Sequence, residues 1–309
     1  VPAGIDPLAD DDLHLALYCS YELVYRGLPG VDEDWEWDPG LLTMRRALEA
    51  PFLAALRDAV PVPRMPGVPV DVALRAVVDA DDGPSVSRQL RDHGTLAQVR
   101  EFMAHRSAYQ LKEADPHSLA IPRLSGRAKA ALVEIQFDEY GCGRPEDVHA
   151  ELFRRAMAAA GLDDRYGAYL DLLPGVTLAT VNLMSLLGVH RRLRGAIVGH
   201  LAAFEMTSSA PNRRYGDALR RLGLGTEATR FFDEHVTADA LHEQVAAVDL
   251  AGGLVADEPA LRGDVLWGAA ALLAMDARWG EHLLRAWAAD RTSLRRPLPA
   301  RSPAPAPVR

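Results

Sequence analysis

The sequence predicts an all-α protein. Apolar residues recur at spacings of three and four along most of its length, alternating β patterns are scarce, and Gly or Pro punctuates the apolar segments. A chain of 309 residues that is 49% hydrophobic and 25% charged has enough apolar material for a substantial core. Helices are expected over 11–27 and 41–58, joined by the Gly- and Pro-containing segment GLPGVDEDWEWDPG. The stretch VPVPRMPGVPV at 60–70 reads as a proline-rich connector. Beyond it, helices are expected near 86–94, 95–114, 124–140, 145–160, 164–172, 176–188, 190–208, 212–222, 225–246, 258–275 and 277–290. The final RRPLPARSPAPAPVR is too poor in large apolar residues to build a core and is expected to be extended.

The net charge of −9 argues against a nucleic-acid surface, which needs a concentrated positive field. The most apolar run, LLPGVTLATVNLMSLLGV at 172–189, contains Pro174, Gly175, Thr177, Thr180 and Asn182, so it reads as a buried helix and a poor membrane span. Only Cys19 and Cys142 are present, which suits a reducing, cytoplasmic setting better than a disulfide-stapled secreted fold. No nucleic-acid or membrane partner is expected, and assembly as a homodimer stays open.

Several acidic and imidazole side chains fall where apolar ones belong. In FFDEHVTADALHEQ, His235, Asp239 and His242 lie within an arc of roughly 60° on one helical face. Such a face can grip a cation, or it can be a solvated polar stripe. In RAKAALVEIQFDEYG, Ile135 and Leu132 precede Glu139 by four and seven residues, which puts Glu139 on the apolar face and turns Glu134 and Asp138 elsewhere. A buried carboxylate needs a metal, an arginine or a proton beside it. The next segment, EYGCGRPEDVHAELF, offers Gly141 and Gly143 for a sharp exit and Pro145 for a new helix start. On one continuous helix Glu139 and His149 would stand about 80° apart, whereas a turn lets both face one point. His149 can equally be a core histidine bonded to a carbonyl.

RGAIVGHLAAFEMTSS repeats the pattern: Glu205 follows Val198, Leu201 and Ala202 at seven, four and three residues, His200 sits off that face, and Thr207 and Ser208 either support a ligand from behind or, as is commoner, end the helix. Glu113, in LKEADPHSLAIPRL, precedes a helix-stopping Asp115-Pro116, and its mixed neighbours alone favour the surface. Four carboxylates, Glu113, Glu139, Glu205 and Asp239, with three imidazoles, His149, His235 and His242, would balance two divalent ions, and mixed oxygen and nitrogen donors suit iron or manganese. A rival assignment pairs Glu146 with His149 and Asp239 with His242 as carboxylate-x-x-His elements, with Glu113 and Glu205 as single carboxylates. It leaves His235 and Glu139 unexplained. Tyr109, one turn before Glu113, either faces the same point or packs in the core.

Over residues 95–290 the sequence resembles the heme-oxygenase-like diiron oxidases and oxygenases. The resemblance rests on LKEADPHSLAIPRL, DEYGCGRPEDVH, GHLAAFEMTSS and EHVTADALHE. It implies a heme-oxygenase-like helical bundle with additional N-terminal helices: an extension over 1–94 packed on the core, the diiron domain over 95–290, and the Pro- and Arg-rich tail over 291–309. It places Glu113, Glu139, Glu205, His235, Asp239 and His242 as metal ligands, and His149 is similar to the additional histidine of N-oxygenating members. The metal ligands themselves carry the chemistry, with no separate acid or base and no organic cofactor assigned.

The implied cofactors are two ferrous ions, oxidised to the ferric state through a peroxo intermediate, with O2 as co-substrate and an external reductant. The implied activity is N-oxygenation of an amine or guanidine on a small amino-acid-like substrate in specialised metabolism, which also calls for an electron donor. Desaturation or C–C cleavage of an amino or fatty acid is the alternative reaction, and a non-catalytic binding protein on the same scaffold is the alternative class. Heme oxygenation fits less well, because one proximal histidine would suffice and buried acids would repel the propionates.

Overall fold

The computed structural model describes residues 6–299, excepting the side chains of residues 237–241. Helix α1 (Asp11–Tyr25) starts where the Asp10 carboxylate accepts the Leu13 amide at 2.6 Å, satisfying a donor that the first turn leaves unpaired. Helix α2 (Pro39–Ala59) begins in the same way, with Asp38 accepting from Leu41 and proline at its first position. The proline-rich connector is followed by α3 (Val70–Asp79), a helix the sequence reading left out because it extended that connector to residue 70. Helix α4 spans Val86–His93, and α5 (Leu96–Gln110) opens on a capping box between Thr95 and Gln98.

After α5 the chain runs through a turn into the short α6 (Asp115–Ser118), then α7 (Gly126–Glu139) and α8 (His149–Ala159). Of the helix expected over 164–172, only a single 3-10 turn, Leu170–Leu172, is present. The apolar α9 (Gly175–Val189) is buried on nearly every side, as a helix without a polar face must be. No helix among the described residues is long and apolar enough to cross a membrane.

Helix α10 (Arg194–Arg221) joins two helices that were expected to be separate. Thr207 and Ser208 do not end it; their hydroxyls donate back to the carbonyls of Ala203 and Glu205. Pro211 sits inside it, in a stretch, 207–213, where no side chain is buried, so water can take the carbonyl that proline leaves unbonded. Helix α11 (Thr226–Gln244) widens into a π-helical segment (Val245–Ala251) and closes as α12 (Gly252–Asp257). Helix α13 (Arg262–Ala288) likewise fuses two expected helices. It crosses α10 at close range: a Cβ at Gly199 would lie 1.8 Å from the Val265 carbonyl oxygen, and one at Gly268 would lie 1.9 Å from that of Ala196.

Among the described residues there is no strand, and the architecture is all-α. Two groups of buried apolar side chains fill it. One joins α1, α2, α3 and α7 to α9, α10 and α13. The other joins α4, α5 and α8 to α11 and the C-terminal part of α13. Phe204 on α10 packs against both, and the acidic cluster lies beside it. Of the tail expected to be extended, 291–299 forms neither helix nor strand, but it is docked: Leu294 is buried, and the Ser293 amide and hydroxyl both donate to Glu101. Residues 300–309 lie outside the described residues.

Candidate metal centre

Four helices and one turn deliver the donors. Glu113 does not stand on α5, which ends at Gln110; it sits in the turn before α6, where Ala114 takes a left-handed φ of 73°. That turn points the Glu113 side chain inward, where it is 4% exposed, and so overrules the surface position its neighbours suggested. Glu139 is the last residue of α7. The chain then reverses through Gly141, Cys142 and Gly143, all with positive φ, and returns so closely that a Cβ at Gly141 would meet the Val148 amide nitrogen at 2.6 Å. This reversal brings His149, the first residue of α8, to Glu139, with Nδ1 2.9 Å from Oε2. Glu205 comes from the middle of α10, and His235 and His242 come from α11.

The donors form two groups that share one member. Glu113, Glu139, His149 and His235 each offer an atom within 4.8 Å of the others, and so do Glu139, Glu205 and His242. All six residues are buried. The remaining expected ligand, Asp239, lies outside the described residues. Glu146 is exposed on the far side of the reversal, which removes the rival pairing of Glu146 with His149.

The outer contacts fix which atoms face inward. His235 Nδ1 lies 2.8 Å from the Phe231 carbonyl, an acceptor only, so Nδ1 carries the proton and Nε2 turns toward Glu113, 3.6 Å away. His242 Nε2 lies 2.9 Å from Asp138 Oδ2, which leaves Nδ1 facing Glu205 at 3.4 Å. Asp138 does point away from the Glu139 face, as the helical spacing requires, but the spacing could not reveal that α11 packs there. This carboxylate–histidine contact joins two helices, so the periodicity of either one alone does not show it.

The electrostatics are those of acids held by imidazoles. Burial pushes the Glu113 carboxyl up, offset in part by His235. Burial acts in the same direction on Glu139, but His149, His235 and His242 outweigh it and hold the carboxyl at about 2. Burial alone would lower His242; Glu205 and Asp138 overcome it and lift the imidazole to about 9. Even so, Glu113 Oε2, His149 Nδ1 and His242 Nδ1 are buried without a well-directed hydrogen bond. His149 Nδ1 and Glu139 Oε2 are close but misaligned, as two donors aimed at a third point are. Carboxylate oxygen and imidazole nitrogen without thiolate fit iron or manganese, and the cluster is compatible with iron.

Tyr109 and Phe204 wall a small cavity beside these acids and also wall a second cavity on their other side. His117 lines the first and His200 the second, and the two rings meet through Nε2 and Nδ1 at 3.1 Å. Both are fully buried; burial takes His117 down to about 4 and His200 well below its usual value, so the pair is neutral. His200 therefore does sit off the Glu205 face, and Tyr109 is both a core residue and a wall of the site. The outer end of the second cavity is the ion pair of half-buried Arg106 with the more exposed Asp276, at 3.2 Å.

Comparison with known proteins fits this arrangement. Residues 100–277 match the family described as iron-containing redox enzymes, a span that takes in every residue of the cluster and of the Arg106–Asp276 pair. This chain belongs to that family. Its all-α fold is accordingly heme-oxygenase-like, and its membership is that of an enzyme of iron redox chemistry. It is also similar to a nitrosourea synthase from Streptomyces achromogenes subsp. streptozoticus, 29% identical over 136 residues. The matched stretch covers 44% of this chain and 29% of that protein, so the family member described here spans well under two thirds of its relative's length.

Proposed function

We propose that this protein is an O2-dependent, non-heme diiron oxygenase that N-oxygenates an amine or guanidine of an amino-acid-like substrate, in a cytoplasmic biosynthetic reaction. The observation that carries the reading is Glu139: one carboxylate belongs to both buried donor groups, the arrangement expected of a ligand shared by two neighbouring ions. Glu113, His149 and His235 would hold one iron, and Glu205 and His242, with Asp239, the other. Bound there, the iron pair supplies dioxygen activation and the oxidising equivalents, and an external electron donor returns it to the ferrous state.

The chain's own residues do the rest. Asp138 and the Phe231 carbonyl fix the ring orientation of His242 and His235. Phe204, Leu201 and Tyr109 exclude bulk water from the acids. Nitrogen chemistry is favoured over carbon chemistry by the nitrosourea synthase relative and by the presence of His149 in the first donor group.

The test is anaerobic reconstitution with ferrous iron, iron analysis, and exposure to O2 with candidate amino acids followed by mass analysis. Two irons per chain and product carrying added oxygen are expected. Fewer than one iron per chain, with no O2-dependent absorption transient, overturns the reading; loss of hydrogen without oxygen gain replaces N-oxygenation with desaturation.

A further inference from the structure

Lys112, the residue before Glu113, points the opposite way and is among the largest fully buried side chains of the molecule. Its Nζ lies 2.8 Å from Glu22 Oε2 on α1, with the two side chains 0% and 1% exposed. The ammonium also stands over the rings of Tyr18 and Tyr25, at 4.4 and 4.5 Å from their centroids, and Tyr166 donates its hydroxyl to the other Glu22 oxygen. Nothing in the proposed chemistry uses this buried pair, and neither residue lines the cavity beside the acids.

What it does hold is the turn. Ala114 keeps a left-handed conformation that a non-glycine residue adopts only when its surroundings impose it. Besides the His117–His200 contact to α10, two sets of contacts surround it. From α7, Gln136 donates to the Ala114 carbonyl at 2.8 Å and Tyr140 to Asp115 at 2.9 Å. From α1 come the Glu22–Lys112 pair, the Tyr18 hydroxyl on the Ala108 carbonyl at 3.3 Å, and Arg26 facing Asp115 at 3.9 Å. Glu22 lies well before residue 100, where the family match begins, so this side of the clamp is built from chain outside the matched region.

We infer that α1 is a working part of the metal centre: Glu22 and Lys112 are positioning residues that hold the strained turn at Ala114 and thereby aim Glu113 at the first donor group. The physical reason is that the Glu22–Lys112 ion pair is the buried anchor between α1 and this turn. If Glu22 is neutralised, that anchor is lost, and the turn can relax its strain by rotating Glu113 away from His149 and His235. The second donor group, Glu139, Glu205 and His242, takes none of its members from this turn.

The inference rests on the reading of the cluster as a two-ion site, so its test has one arm with metal and one without. Full-length protein is titrated with Co(II) under anaerobic conditions and followed by its visible absorption. In Glu22→Gln, one of two Co(II) equivalents is expected to weaken at least tenfold while the other is unchanged. If that variant does not fold, Glu22→Gln with Lys112→Met, which leaves no charge buried alone, is titrated instead, with the same expectation. Adding Ala114→Gly, which makes the left-handed turn free of strain, is expected to recover part of the lost affinity, a rescue that general loosening of the fold would not give.

Two Co(II) ions bound with wild-type affinity, both weakened alike, or no rescue by Ala114→Gly would overturn the inference. In the metal-free arm, hydrogen exchange over 111–118 is expected to accelerate in the Glu22 variant while α10 stays protected; unchanged exchange there overturns it as well. Wild-type protein that takes up no Co(II) would instead overturn the reading of the site, and the exchange arm alone then decides whether the clamp exists.

Discussion

His242 is held between two acids, Asp138 on one ring nitrogen at 2.9 Å and Glu205 facing the other at 3.4 Å, with Asp138 the direct sequence neighbour of Glu139. Helix α7 therefore serves the centre from two faces, one carboxylate among the donors and the next orienting a donor from behind. Replacing Asp138 with Asn keeps the shape and removes the charge. The expected result is about 10–100-fold weaker binding of one ion in a metal titration, with the ligand set intact.

The shared position of Glu139 separates ligand variants by stoichiometry. Glu139→Ala is expected to abolish uptake of both ions, whereas Glu205→Ala keeps one, because Glu205 belongs to a single donor group. Glu146→Ala, at an exposed position, is expected to keep two. Metal analysis of the three purified variants checks the order.

The raised pKa of His242 sets opposite pH trends for stability and for metal uptake. A histidine lifted from 6.5 to about 9 stabilises the fold fully below 6.5 and loses that contribution as the pH climbs through 9. Chelator-treated protein is therefore expected to melt at a lower temperature at pH 9 than at pH 6.5. Metal must displace the same proton, so affinity should rise across that interval, by about tenfold per pH unit for each proton released. Thermal scans and metal titrations at the two ends of the interval measure both signs.

Gly199 and Gly268 let α10 and α13 approach backbone to backbone. A methyl at Gly199 would sit 1.8 Å from a main-chain oxygen, and no side-chain rotation can relieve that. Gly199→Ala is expected to cost about 3 kcal/mol or more and to displace Glu205, two turns along the same helix. Urea denaturation measures the loss, and a midpoint equal to that of the wild type would contradict the packing.

Much of this was legible from periodicity. Leu132 and Ile135 placed Glu139 inside, Val198, Leu201 and Ala202 did the same for Glu205, and the glycines at 141 and 143 announced the reversal that carries His149 back. These are local signals, in which the residue and the neighbours that reveal it lie on one helix or one turn. Glu113 was legible only through the family resemblance, since its burial comes from a left-handed turn that its immediate neighbours do not encode. Asp138 and Glu22 were not legible at all, because each acts through a partner about 90 or more residues away. The break expected after Thr207 and Ser208 does not occur, because their hydroxyls bond back within the helix and solvent can take the carbonyl that Pro211 frees.

The π-helical segment Val245–Ala251, which follows His242 within three residues, bears on how this scaffold tolerates changes in length. A wide turn of this kind holds one residue more than an α-helical turn, so deleting a single residue there would let α11 and α12 run on as one regular α-helix. Because the wide turn already holds the extra residue, that deletion would leave His235 and His242 nearly in phase with Leu254, which is buried against α7 and α10, whereas a deletion in the regular part of α11 would turn the residues before it by about 100°. The segment is therefore where this scaffold can lose a residue without turning the imidazoles upstream, and loop grafting or shuffling among related scaffolds should place a one-residue shortening there and nowhere else in α11.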